Sequence, residues 1–213
     1  MGSRDRQITG LEPDPLRPGA VRVQVDGKPW GALDREDARR VGLAVGQRLE
    51  GEQDQLASAA ADVESAFRTV LRALGRRPHA TAELRRRLIR RGHPPTSVEQ
   101  ALARATAAGL LDDEAFARRF VETRAARGRG PGRLRRDLAS LGVAAAAVDR
   151  ALQQSWPEES DPESLAAELA RKRVAQLGDL PRDVKLRRVV AFLGRRGFTG
   201  SRVTEMVRRL LRT

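Results

Sequence analysis

One spacing occurs three times along this chain, and it constrains the fold more than any other feature. An apolar residue is followed by another apolar residue four positions later, Gly four after that, Val after six more, and a last apolar residue after another four. The copies are Leu84, Leu88, Gly92, Val98, Leu102; then Leu134, Leu138, Gly142, Val148, Leu152; then Val189, Leu193, Gly197, Val203, Val207. A step of four followed by Gly is the signature of a helix that buries one face and then stops. Self-similarity on this scale predicts tandem helical units, which bind extended partners along an exposed face rather than closing on one central pocket.

Composition supports several small cores. The chain has 213 residues, 3% aromatics and no Tyr. The net charge of +13 is uneven: residues 1–62 hold 9 basic and 11 acidic side chains, whereas residues 63–213 hold 32 and 17. The basic excess therefore lies in the repeats and favours polyanions, whether nucleic acid or an acidic protein surface. There is no cysteine, which removes disulfides and Cys-ligated metals and fits a reducing compartment. No apolar run reaches the roughly 20 residues of a membrane span, and Met1-Gly2-Ser3-Arg4-Asp5 lacks the apolar stretch of a signal peptide. The expectation is a cytoplasmic protein.

The spacing predicts a mainly α fold of tandem three-helix repeats in an elongated, curved array, with a small β-containing N-terminal module. Residues 1–18, with Pro13, Pro15 and Pro18, read as a disordered tail. In the module, residues 19–55, Val21, Val23 and Val25 alternate with polar residues. Asp26-Gly27 marks a hairpin, and the return strand passes through Trp30. Asp34 reads as the N-cap of a short helix to Val41, and Leu43 to Leu49 as a further strand. The repeats span 56–110, 111–156 and 157–213, the last led by an acidic linker from Pro157 to Pro162. Thr81 reads as a cap, and Thr96 with Glu99 as a capping box.

Candidate chemistry is sparse. Asp112-Asp113-Glu114 begins a helix, where carboxylates cap free amides, so capping outweighs a metal or acid–base role. His79 and His93 stand beside prolines without companions at ligand spacing. Gly128-Arg129-Gly130-Pro131-Gly132 has no preceding strand, which argues against a dinucleotide fingerprint and for a flexible basic elbow. No catalytic, cofactor or metal constellation emerges, and the expectation is a non-enzyme.

The basic clusters carry more. Arg85, Arg86, Arg87, Arg90 and Arg91 flank the apolar positions of the second helix in repeat one, and Arg133, Arg135 and Arg136 do so in repeat two. Arg76, Arg77, Arg127 and Arg129 lie in the preceding loops. Repeat three offers Lys185, Arg187, Arg188, Arg195 and Arg196, with Val190-Ala191-Phe192 in place of the mid-helix basic run. For a single Arg a solvated face is the simpler reading. The aligned set reads as a partner or nucleic-acid face, because fields add along an array. Phe67, Phe116, Phe120, Phe192 and Phe198 do not interleave with these clusters and read as core rather than base-stacking platforms.

Leu71–Leu84, Gly109–Val121 with its Gly-Leu-Leu-Asp-Asp segment and Phe116-Ala117, Arg129-Gly130-Pro131 with Leu138 and Gly142, and Leu193–Phe198 together resemble the RecX family of recombination regulators. The resemblance covers about residues 64–210 and is weakest in the third repeat. Residues 21–49 resemble an N-terminal extension that some members carry. The resemblance implies a non-catalytic, monomeric protein that needs no cofactor. It would bind the groove of the RecA–single-stranded-DNA filament, inhibit its ATPase, recombinase and strand-exchange activities, and so act in DNA repair and the SOS response. It also implies contacts to single-stranded and duplex DNA. The alternative reading is a sequence-tolerant DNA-binding protein that acts without RecA.

Three units in line should give a radius of gyration of roughly 23 Å, against roughly 17 Å for a compact globule of this length. Solution scattering near the lower value would contradict an open array.

Overall fold

The computed structural model describes residues 6–154, 156 and 161–212. The chain divides into two compact units, residues 1–111 and 112–213. The acidic linker expected at 157–162 lies largely outside the described residues.

The first unit opens with a three-stranded antiparallel sheet in the order β1 (Ile8–Pro13), β2 (Ala20–Val25), β3 (Lys28–Asp34). The tail expected over 1–18 is corrected here from residue 6 onward, and residues 1–5 lie outside the described residues. Ile8–Pro13 pairs with β2, because Ile8 is an apolar residue that this small sheet needs for its core. Asp26 and Gly27, at φ of 51° and 73°, make the predicted hairpin turn. Asp34 caps α1 (Arg35–Arg40) by accepting from the Glu36 amide at 2.9 Å. The strand expected over Leu43–Leu49 does not form. That segment is a loop joined to the sheet by the Ile8 amide on the Gln47 carbonyl and the Gly46 amide on the Ile8 carbonyl.

The long helix α2 (Gly51–Leu74) crosses the expected boundary at 55/56. Its early residues Ala57 and Ala60 join Ile8, Val23, Val25 and Leu33 in the sheet's core. Its later residues Val63, Ala66, Phe67 and Val70 join Leu84 and Leu88 of α3 (Thr81–Arg90) and Val98, Ala101 and Leu102 of α4 (Pro95–Ala107). One helix thus serves two cores, and the N-terminal module is built onto the first repeat. Between the cores Glu64 is only 2% exposed and pairs with Arg17 from the β1–β2 loop and with Arg104 of α4, the latter at 2.8 Å. Arg104 also reaches Asp34 at 2.8 Å and lies 4.1 Å from the centre of the Phe67 ring. The capping box at Thr96 is absent because the N-cap of α4 is Pro94, two residues earlier, and Ala80 rather than Thr81 occupies the N-cap position of α3.

The second unit contains α5 (Asp113–Ala125), α6 (Pro131–Leu141) and α7 (Ala145–Gln154), then α8 (Pro162–Ala175), α9 (Arg182–Arg196) and α10 (Ser201–Leu210). Asp112 caps α5 by accepting from the Glu114 and Ala115 amides, each at 2.9 Å.

The repeated spacing is a repeated helix end. Gly92, Gly142 and Gly197 all have left-handed φ, at 84°, 87° and 95°. After each, an amide folds back on the second apolar residue: His93 on the Leu88 carbonyl, Val143 on Leu138 and Phe198 on Leu193, at 3.2, 3.1 and 3.0 Å. Each Gly amide also donates to the carbonyl three residues before it, completing the Schellman pattern. Leu84, Leu88, Leu134, Leu138, Val189 and Leu193 are at most 1% exposed, so each cap fixes where a buried face ends.

Gly128–Gly132 is no flexible elbow. The Gly130 amide donates to the Arg196 carbonyl at 2.7 Å and the Gly132 amide to the Gly197 carbonyl at 3.1 Å. A Cβ on Gly197 would stand 2.2 Å from the Arg133 nitrogen, whereas one on Gly92 would meet nothing within 4 Å. Gly92→Ala should therefore cost only left-handed strain, about 1 kcal/mol. Gly197→Ala should cost at least about 2 kcal/mol more, because backbone must move. Urea unfolding of both variants checks this, and equal losses would contradict the close-packed joint.

Candidate interface

Because Leu84 and Leu88 turn inward on α3, Arg85, Arg86 and Arg90 are exposed, Arg87 is half-buried, and Arg91 is exposed at the C-cap. On α6, Leu134 and Leu138 turn inward and leave Arg133, Arg135 and Arg136 exposed. The predicted set does reach the surface, but several members are already engaged.

Arg85 grips Glu99 with two bonds, Nε to Oε1 at 2.6 Å and Nη2 to Oε2 at 2.8 Å. Fifty residues on, Arg135 Nη2 meets Asp149 Oδ1 at 2.6 Å. These are equivalent positions, and in both repeats the pair ties the second helix to the third. The Arg85 guanidinium holds the Glu99 carboxyl below the ordinary glutamate value. In repeat three the same positions are Val190 and Thr204, both half-buried, so this ion pair has no counterpart there.

Other members are also committed. Arg77 pairs with Glu83, beside which buried His79 places Nδ1 at 3.0 Å. Arg129 and Arg133 share Asp137 at 2.6 and 2.9 Å. Arg187 meets Asp183 at 3.4 Å. Arg196 lies 4.8 Å from the Phe192 ring centre and donates to the Gly128 carbonyl at 3.3 Å. Among the described residues Arg76, Arg87, Arg90, Arg91, Arg127, Arg136, Lys185, Arg188 and Arg195 have no ion pair.

Sequence reasoning passed over Arg118 and Arg119, which are exposed on α5 without an ion pair among the described residues. Their place beside buried Ala117 and Val121 was legible in the helical period. It also set aromatic rings apart from arginines. Arg124 lies 4.6 Å from the Phe120 centre, and Arg173 joins Arg196 over Phe192. These partners lie close in sequence except Arg173, which the packing of α8 on α9 supplies. Among the described residues no group of three or more His, Cys, Asp or Glu is placed to hold a metal, and no helix is long and apolar enough to cross a membrane.

Comparison with known proteins agrees with this architecture. Residues 66–104 match the family description "RecX, first three-helix domain", and residues 112–152 match "RecX, second three-helix domain". Regulatory protein RecX of Halorhodospira halophila is 38% identical over 150 residues, covering 70% of this chain and 89% of that protein. Regulatory protein RecX of Streptomyces coelicolor is 35% identical over 151 residues, covering 70% and 79%. A crystal structure of regulatory protein RecX superposes with a TM-score of 0.76 at 26% identity, covering 96% of this chain and 99% of that one. RecX from Lactobacillus salivarius shares the fold, with a TM-score of 0.61 at 16% identity over 70% of this chain and 96% of that one. Two matched three-helix domains and relatives above 30% identity over more than two thirds of the chain make it a member of the RecX family of regulatory proteins.

Proposed function

We propose that this chain is a non-catalytic regulator that binds the RecA–single-stranded-DNA filament as a monomer and inhibits its ATPase, recombinase and strand-exchange activities. The repeats serve as successive binding units, and the module packed on the first repeat stays with it. The observation that carries this reading is the set of unpaired cations on and beside the second helices: Arg76, Arg90 and Arg91 in the first unit, and Arg127, Arg136, Lys185, Arg188 and Arg195 in the second. A filament of nucleic acid and protein presents phosphates and carboxylates at repeating intervals, and guanidinium forks suit both. Arg85 and Arg135 hold the repeats together in this scheme rather than touching the partner.

The test is RecA ATPase on single-stranded DNA with increasing amounts of this protein. The intact chain should suppress turnover. Arg90→Glu with Arg136→Glu should weaken suppression by at least about tenfold while leaving helix content unchanged. Full suppression by that variant would remove these residues from the interface. Tight DNA binding without RecA that falls steeply with salt, together with unaltered RecA turnover, would instead support a DNA-binding protein acting alone.

A further inference from the structure

A groove of about 500 Å³ opens in the first unit between the sheet and the side of α2, and its lining includes none of the cations described above. Its floor is made of small residues. Gly31 sits against Ala61, where even a Cβ would come to 3.4 Å of the Ala61 Cβ, and Ala32 continues the surface. The β2–β3 register shifts at Val23/Gln24, so Trp30 is the extra residue of a bulge. A bulge re-aims a side chain, and here it sets the indole into the groove wall. Arg6, which is not part of the groove lining, sits over the ring at 5.9 Å from its centre.

Among the polar groups that line the groove with Trp30, Asp62 acts electrostatically on His93 and Arg68 on Asp14. The Gln24 amide, Asp62 carboxylate, Ser65 hydroxyl and Arg68 guanidinium make no hydrogen bond or ion pair among the described residues. Arg22, on the far side, holds Glu12 only loosely at 3.4 Å, with both exposed. An anion alone would meet Asp62 and Glu12 as well as the arginines, and a cation alone the reverse. A ligand that suits the groove is flat, carries adjacent N–H donors at one end and is anionic at the other. A guanine nucleotide has that pattern. Its ring can stack on an indole, its N1–H and N2–H₂ can donate to a carboxylate in parallel, and its phosphate suits a guanidinium.

We propose that this groove is a nucleotide site, with a guanine base on Trp30 read by Asp62 and Gln24, and its phosphate held by Arg68 and Arg22. The groove volume accommodates one nucleotide unit, free or within a single strand. The site does not depend on any action toward RecA.

Trp30 and Trp156 are the only tryptophans, so Trp156→Phe leaves Trp30 as the sole reporter. Titration of this variant without RecA should show saturable quenching by GMP with a midpoint below about 1 mM, the range of a small, partly open site. CMP and guanosine should each bind about tenfold more weakly. Asp62→Asn should erase the guanine preference, and Arg68→Ala the advantage of GMP over guanosine. Both positions are exposed on α2, and circular dichroism confirms that each variant folds. A decamer of thymidines with one central guanine that binds more tightly than GMP assigns the site to a strand, and one that binds no better assigns it to a free nucleotide. Absent quenching, quenching that ignores the base, or titrations unchanged in both variants would overturn the proposal. Because RecA is absent from the assay, a failed ATPase test leaves this result untouched.

Discussion

A single buried carboxylate holds the first unit together. Glu64 sits on α2 where the sheet's core ends and the first repeat's core begins, with its side chain 3% exposed. Alone there, its charge would cost several kcal/mol. Arg17 reaches it from the β1–β2 loop and Arg104 from α4, and those guanidiniums go on to Asp14 and Asp34. The Arg17 hydrogen bond keeps the Asp14 carboxyl below its ordinary value. Asp34 meanwhile caps α1. The chain of charges thus locates the sheet, the short helix and the repeat relative to α2. Such a network adds little net stability over an apolar core, but it penalises any arrangement that strands one member.

The repeats depend on a different device. A left-handed glycine after two buried apolar residues ends the second helix of each, and the same pair of backbone bonds closes each end. Identical caps do not make identical repeats. Gly92 has open space around its missing Cβ, whereas Gly197 is pressed against Arg133. One glycine turns the chain, and the other also lets two backbones meet. The Gly128–Gly132 segment is glycine-rich for that second reason, with Gly130 and Gly132 both bonded to the end of α9.

Charge in this chain does two jobs that composition cannot separate. Arg85–Glu99 and Arg135–Asp149 clamp equivalent helix pairs, while Arg90 and Arg136, a few residues away, project unpaired among the described residues. The third repeat replaces the clamp by Val190 and Thr204 and adds Leu186, Val190 and Met206 around its core. Its second helix is correspondingly less basic in its middle.

The sequence alone determined the helical repeats, their glycine-capped ends, the Asp26-Gly27 hairpin and the capping roles of Asp34 and Asp112. All of these rest on interactions within a few residues, which spacing and residue type report directly. The tertiary structure decided what distant residues do to one another. Residues 8–13, read from the sequence as part of a tail, became a strand because a sheet was there to pair with. Thr96 and Glu99 lost their capping box because Pro95 started the helix and Arg85 claimed the carboxylate. Arg77, Arg85, Arg129, Arg133, Arg135 and Arg187 of the predicted face pair with nearby acids, and Arg104 met Glu64 across 40 positions of sequence. Pairing of charges depends on which surfaces pack, and no local pattern records that.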